Sequence, residues 1–244
     1  MSPVPDPWAQ AGARVRFEHG PAGLAALLER APGRVVVVVV DVLSFSTAVV
    51  VAADAGVVVA PAPLDPPPDV PRDAVVAGSR GSGGPSLSPV SLRGLPPGTR
   101  LVLPSPNGGA LAAAASAAGA TVIAAGVRNA SAVAADLRRR LETEPQLTAA
   151  VIAAGERWAD GSLRPAIEDL HGAALVLAGL PEEWLSAEAL TARTTAGLAA
   201  AVVADGASAR ELVTGGFPAD VATALERDAS TAVPILTGGW FRVR

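Results

Sequence analysis

Polar side chains in this sequence gather just after apolar runs. Asp41 follows six valines and precedes Ser44, Ser46 and Thr47. Ser79 and Arg80 stand in a glycine-rich stretch, Ser105 and Asn107 and then Arg128 and Asn129 follow two further runs, and Glu156, Arg157, Glu168 and Asp169 follow another. Carboxylates, hydroxyls, amides and guanidinium groups collected in one place can hold an anion beside a hard divalent cation, because carboxylate oxygens suit the cation and the guanidinium fork suits the anion. Each residue also has an ordinary use. Asp41 and Asn129 are good helix caps, Asn107-Gly108 is a common turn pair, Arg80 and Arg157 can be solvated loop charges, and Glu168-Asp169 suits the first turn of a helix. Such uses explain each residue alone, but not their shared position behind strand-like runs.

The elements that must position them alternate. The run RVVVVVV is too short for a helix and apolar on both faces, which predicts a central strand covered on each side. An Ala/Val helix from the Ser44 region to Gly56 follows it. The rhythm recurs with strands at Arg100 to Leu103, Thr121 to Ala125 and Leu147 to Gly155, and with helices at Ala110 to Ala118, Ser131 to Leu141 and Pro165 to Ala178. This predicts an α/β fold of three layers, α/β/α, with a mostly parallel central sheet, ending in a helical segment and a C-terminal β-hairpin. Residues 1–244 read as one domain, with any subdivision falling near 180. In open parallel sheets ligands sit beyond the carboxyl ends of the strands, so the polar loops are expected on one edge.

Between these units, APAPLDPPPDVPRD is predicted to be an exposed connector, since its prolines forbid a regular helix. Gly78 to Gly94 is predicted to be a long Gly/Ser/Pro loop, of a length that in compact domains is functional or disordered. A helix is expected from Ser186 through the Ala-rich stretch, with capping-box spacing between Ser208 and Glu211. Another is expected to start at Pro218, and a hairpin to turn at Gly238-Gly239.

Composition removes several chemistries. The chain has 244 residues, half of them hydrophobic, with no Cys and no Lys, so all 19 basic residues are Arg. Thiolate catalysis, Cys-ligated metals, Schiff bases and a P-loop lysine are excluded. The net charge of -4, with scattered Arg, gives no nucleic-acid footprint. No apolar leader opens the sequence and no stretch reads as a membrane helix, so a cytoplasmic location is expected. A second acid two residues after Asp41, as haloacid dehalogenases need, is replaced by Leu43. The glycines at 78, 81, 83 and 84 miss dinucleotide-fingerprint spacing. Ser79 lies in an A-x-S-x-G sequence, yet no helix can start at Ser82-Gly83-Gly84-Pro85, and Asp169 and His171 lie two apart on one predicted helix, where they do not face each other.

The order of motifs resembles the 2-phosphosulfolactate phosphatase family, the ComB-like proteins, from about Arg34 to about Gly179, with a looser continuation to the C-terminus. VVVVDVLSFST, AGSRGSGGPSLSPVSL, PSPNGGALA, VRNASAVA and AAGERWADGSLRPAIEDLHGAAL stand in the family's order. The resemblance implies a Mg²⁺-dependent phosphatase acting on a small anionic phosphate ester of an acidic hydroxy acid. On that reading Asp41 with Glu168 or Asp169 holds the metal, Asp41, Asn107 and Asn129 serve catalysis, and Ser46, Thr47, Arg80, Arg128 and Arg157 bind substrate. It implies no nucleic-acid or membrane partner and allows a homo-oligomer. Three positions depart from the family pattern: Ser44 replaces an arginine, Ser79 a glutamate and Leu87 an asparagine. These departures admit an alternative, a catalytically degraded protein that binds a phosphorylated metabolite on the same fold.

Overall fold

The computed structural model describes residues 7–29, 31, 33–64 and 70–243. Residues 65–69, in the middle of the proline-rich connector, and residues 1–6, on which the leader reading partly rests, lie outside the described residues. β1 (Val15–His19) runs into α1 (Gly20–Glu29), and the valine run forms β2 (Val35–Val40), followed by α2 (Phe45–Asp54) and β3 (Val58–Ala62). β3 absorbs the first residues assigned from sequence to the connector. Then come β4 (Val75–Val76), β5 (Arg100–Pro104), α3 (Gly108–Ala117), β6 (Thr121–Ala125), α4 (Ala130–Thr143) and β7 (Thr148–Ala153). A small hairpin, β8 (Glu156–Arg157) with β9 (Leu163–Arg164), leads to α5 (Ile167–Ala178). β1, α1 and β4 lack the plain signal of the valine run, because β1 interleaves charges, α1 begins Gly-Pro and β4 has two residues.

The C-terminal part comprises α6 (Ala187–Arg193), α7 (Ala200–Ala204), α8 (Ala207–Thr214), α9 (Pro218–Ala224), β10 (Ile235–Thr237) and β11 (Trp240–Arg242). The continuous helix expected from Ser186 is interrupted by a 3-10 turn over Thr194–Gly197. There the hydroxyls of Thr194 and Thr195 bond back to the carbonyls of Thr191 and Ala192, a competition that weakens helices. The capping box does not form. α8 starts after Gly206, and Ser208 lies inside its first turn accepting a hydrogen bond from Arg164. Among the described residues no helix is long and apolar enough to cross a membrane.

Nine strands form one sheet in the order β1-β7-β2-β6-β10-β11-β3-β5-β4. All six valines of β2 are buried. Val35, Val37 and Val39 face Leu24, Leu27 and the α2 and α3 side chains, while Val36, Val38 and Val40 face Val133, Leu137 and Val176 on the other side. Branched side chains packed on both faces explain why this run is a strand. The sheet is not parallel throughout. β1, β7, β2 and β6 form one parallel block and β3, β5 and β4 another, and the β10–β11 hairpin joins them by antiparallel pairing on both sides. The single edge expected for all polar loops is therefore replaced by two blocks of opposite sense. The loop after β5 still reaches the end of β2, because α3 packs back over β2, β3 and β6.

α5 comes close to β2 at Gly172. A Cβ there would lie 2.7 Å from a Val42 methyl and 2.9 Å from a Val40 methyl. This approach brings the first turn of α5, with Glu168 and Asp169, to the end of β2. Gly172→Val should therefore overpack the interface and cost about 1–3 kcal/mol, a fall of roughly 2–4 °C in thermal midpoint per kcal/mol. Gly94→Ala, where a Cβ meets nothing within 4 Å, should leave the midpoint within about 0.5 kcal/mol of the parent. Equal midpoints for Gly172→Val and the parent would refute the close-approach argument.

Candidate active site

Two buried carboxylates shape the loop after β2. Asp41 Oδ1 accepts the Phe45 N–H at 3.0 Å, which caps the start of α2, and Oδ2 accepts the Gly108 N–H at 2.8 Å, which ties in the start of α3. Asp169 Oδ1 accepts the Val42 N–H at 2.7 Å, and its Oδ2 accepts the Gly155 N–H at 2.8 Å. The turn after β2, the entry to α3, the exit of β7 and the first turn of α5 are thereby joined. Gly108 is required by this contact, since a Cβ would stand 2.6 Å from Asp41 Oδ2 and 2.7 Å from the Phe45 ring.

Two further carboxylates complete the cluster. Glu168 is buried, and its Oε2 has no hydrogen-bond partner among the described residues. Glu156 Oε2 accepts the Asn107 amide at 2.8 Å. Asn107 and Glu156, together with Arg157, line a cleft of about 220 Å³. Burial pushes Glu156 up to about 7, helped by the Asp41 charge and opposed by the Asn107 amide. Asp41 is also raised by burial, with the Phe45 and Gly108 N–H groups pulling the other way and the Glu168 charge adding to the rise. Burial and the charges of Asp41 and Glu168 lift Asp169 well above the ordinary carboxylate range. Asp41 and Glu168 are thus the two charges felt by both Glu156 and Asp169. Among the described residues no three His, Asp or Glu side chains come together closely enough to hold a metal ion by themselves.

The cations are fewer. Arg80, partly exposed, donates through Nη2 to Ser44 Oγ, within the Asp41 turn, and its charge opposes the rise of Asp41. Arg164 opposes the rise of Glu156 and donates to Ser208 Oγ at 2.9 Å.

Several sequence-predicted residues have other occupations. Ser46 and Thr47 are fully buried and fold the turn: Ser46 Oγ accepts the Asp41 N–H and donates to the Val39 carbonyl, while Thr47 Oγ1 donates to the Val42 carbonyl. They face inward, so the expected substrate contact is replaced by a structural one. Asn129 is fully buried as well. It accepts the Gly126 N–H and donates to the carbonyls of Ala124 and Ala232, which fastens the β10 approach to the end of β6. Its amide has nothing left for a substrate. Arg128 is buried against Glu226, the Thr223 carbonyl and Asp54. That pairing makes it a fastener for the C-terminal segment, not the anion clamp expected of it. Arg157 lies on the β8–β9 hairpin, donating to the Gly161 carbonyl at 3.4 Å, on the cleft wall. The residues brought together are Asp41, Asn107, Glu168, Asp169 and Arg80. Glu156 and Arg164 complete the set. Glu156 has the signal used for the others, an acid directly after a strand, whereas Arg164 has none because a hairpin returns it to the site.

A model of the family described as 2-phosphosulpholactate phosphatase matches residues 83–239, well over half of the chain. No curated protein matches it. The matched residues include Asn107, Glu156, Glu168 and Asp169, start beyond Asp41 and Arg80, and run on into the C-terminal hairpin, across the stretch where the motif resemblance is looser.

Glu156 supplies a test of the electrostatics. Its acid is raised in the folded chain, so the native state holds this proton more tightly than the unfolded one. The stabilisation is complete below the ordinary value of 4.5 and is lost as pH rises through about 7. Urea unfolding at about pH 5 and about pH 8 should show that loss. Glu156→Gln cannot ionise but can still accept the Asn107 amide, so its loss should be smaller. Identical pH dependence in the two proteins would remove Glu156 from the titrating cluster.

Proposed function

The chain belongs to the 2-phosphosulpholactate phosphatase family and is a phosphoric monoester hydrolase, and we propose that it hydrolyses the phosphate monoester of a small acidic hydroxy acid with Mg²⁺ as its metal. The observation carrying this reading is the buried Oε2 of Glu168, without a partner among the described residues, on a carboxylate whose charge acts on Asp41. The donor set fits the metal. Mg²⁺ prefers oxygen ligands and binds commonly through one or two carboxylates, with phosphate and water completing its shell, so no cage of three side chains is needed. Glu168 and Asp41 would hold it, and Asp169 would keep the Asp41 turn in place through the Val42 and Gly155 N–H groups. When bound, Mg²⁺ supplies positive charge to the phosphoryl oxygens.

The remaining work falls to the chain's own side chains. Arg80 offers a guanidinium edge to an anionic oxygen, and Arg157 adds charge at the cleft wall. Asn107 orients Glu156 through its amide. Glu156, held near neutrality by burial, keeps a proton at a pH where an exposed carboxylate has lost it. As a water oxygen bonds to phosphorus and the ester P–O bond breaks, the departing alkoxide takes the Glu156 proton, the attacking water gives up one proton to solvent and Glu156 takes one back from solvent, giving the hydroxy acid and inorganic phosphate. Ser44, in place of the arginine that the motif resemblance implies, removes one cation from the turn. The favoured ester therefore carries less negative charge than 2-phosphosulfolactate.

Phosphate release from 2-phosphosulfolactate and from phospholactate, which lacks the sulfonate, tests this reading. Release should vanish in EDTA, return with Mg²⁺, and be faster on phospholactate. Metal-independent release, or none from either ester, counts against it. Binding of an ester without release would favour the degraded alternative.

Glu168→Gln separates metal binding from folding. Without metal it should be at least as stable as the parent, because a neutral amide replaces an unpartnered buried carboxylate. Its Mg²⁺-induced rise in thermal midpoint should shrink to the extent expected for at least a tenfold loss of affinity. In the parent, that rise should also diminish as pH falls, because protons compete with the metal for Asp41, a carboxylate raised by burial. An undiminished Mg²⁺ response in Glu168→Gln would move the metal elsewhere.

A further inference from the structure

Asp220 stands in the first turn of α9, far along the chain from Asp41, and is buried. Its Oδ1 accepts Ser88 Oγ at 2.6 Å, and its Oδ2 accepts Arg80 Nε at 3.3 Å. Arg80 Nη2 donates to Ser44 Oγ and, at 3.4 Å, to the Leu87 carbonyl. The guanidinium also lies over the Phe217 ring, 6.0 Å from its centre. One edge of the guanidinium, carrying Nε and Nη2, is therefore held by the protein. Nη1 and its two N–H bonds have no partner among the described residues.

We propose that Asp220 is a positioning residue for the proposed phosphatase site: it fixes Arg80 against Ser44 so that Nη1 is presented to an anionic oxygen of the substrate. The inference rests on the reading of this site as one for a phosphate ester. The carboxylate is buried and most of the guanidinium is shielded from water, and the cost of desolvating such a pair offsets much of its attraction, so the pair is poorly explained as a stabilising contact. It is well explained as an orienting one. A free arginine side chain has many rotamers, and holding it in one geometry beforehand removes an ordering cost from anion binding. Ser88 fixes Asp220 in turn, so two segments distant in sequence, the 78–94 loop and α9, meet to aim one guanidinium.

Calorimetric titration of inorganic phosphate into the full chain with Mg²⁺ present tests this independently of turnover. Asp220→Asn should weaken phosphate binding about tenfold, as loss of a charge-assisted contact does. Arg80→Ala should weaken it at least as much, and the double variant should bind no worse than Arg80→Ala alone, since Asp220 acts only through Arg80. Should Asp220→Asn fail to fold, Ser88→Ala takes its place, with a smaller weakening that likewise disappears in the Arg80→Ala background. The proposal is overturned if the parent binds no phosphate, if Asp220→Asn binds like the parent, or if the losses multiply in the double variant. Absence of ester hydrolysis alongside the expected binding pattern would sink the phosphatase reading and leave the role of Asp220 standing.

Discussion

The site depends on two aspartates used as backbone acceptors inside the protein. Asp41 and Asp169 each take two N–H groups, from Phe45 and Gly108 and from Val42 and Gly155. The N–H groups so paired lie at a helix start, a loop or a strand exit, where no ladder partner is available, and a buried N–H left unpaired costs about as much as a lost hydrogen bond. Removing either carboxylate would orphan two donors at once. Four chain segments meet there for this reason, and the chemistry proposed above inherits its geometry from that meeting.

The same economy of space explains the composition. α2 is buried from Phe45 to Ala52, and α3 and α5 approach the sheet through Gly109 and Gly172, while Gly108 sits against Asp41 and Phe45. Ala, Val and Gly let helices approach close enough for side chains as short as aspartate to span between elements. Bulkier cores would hold the helices further off. The inserted β10–β11 hairpin serves the assembly differently. By pairing with β6 on one side and β3 on the other, it fuses two parallel blocks. It also places the preceding helices beside the 78–94 loop, so residues as late as Asp220 reach the Asp41 turn.

The strand-helix alternation was legible because it is local: β-branched runs, Ala-rich stretches and Gly or Pro punctuation lie within ten residues of one another. Asp41, Asn107, Glu168 and Asp169 were legible by their place after strands. Ser46, Thr47 and Asn129 looked the same in sequence, yet their side chains turn inward, because direction is set by packing partners such as the Val39, Val42 and Ala232 carbonyls. Arg128 and Arg80 are both arginines in loops. What separates them is Glu226 and Asp54 beside one, and a free Nη1 on the other. Neither difference has a local signature. The reversal of strand sense was equally hidden, since a hairpin motif predicts its own turn and says nothing about which strands flank it.

Charge balance then orders events at the site. When ionised, Asp41, Glu156, Glu168 and Asp169 bring four negative charges, and Arg80 and Arg164 are the cations coupled to them. A phosphate dianion approaching this cluster without metal meets net repulsion, which a low-dielectric surrounding strengthens. The site has three ways to relieve it: take up protons, neutralise with lysine, or bind a divalent ion. The chain has no lysine. Protons relieve it at low pH, where the raised carboxylates are neutral, but then the same oxygens make poor metal ligands. If the site takes Mg²⁺ as proposed above, the divalent ion would relieve it near and above neutral pH and make the field around Arg80 Nη1 attractive to an anion. On that proposal the metal would bind before the ester, because the carboxylates that repel the anion are the ones the metal would neutralise.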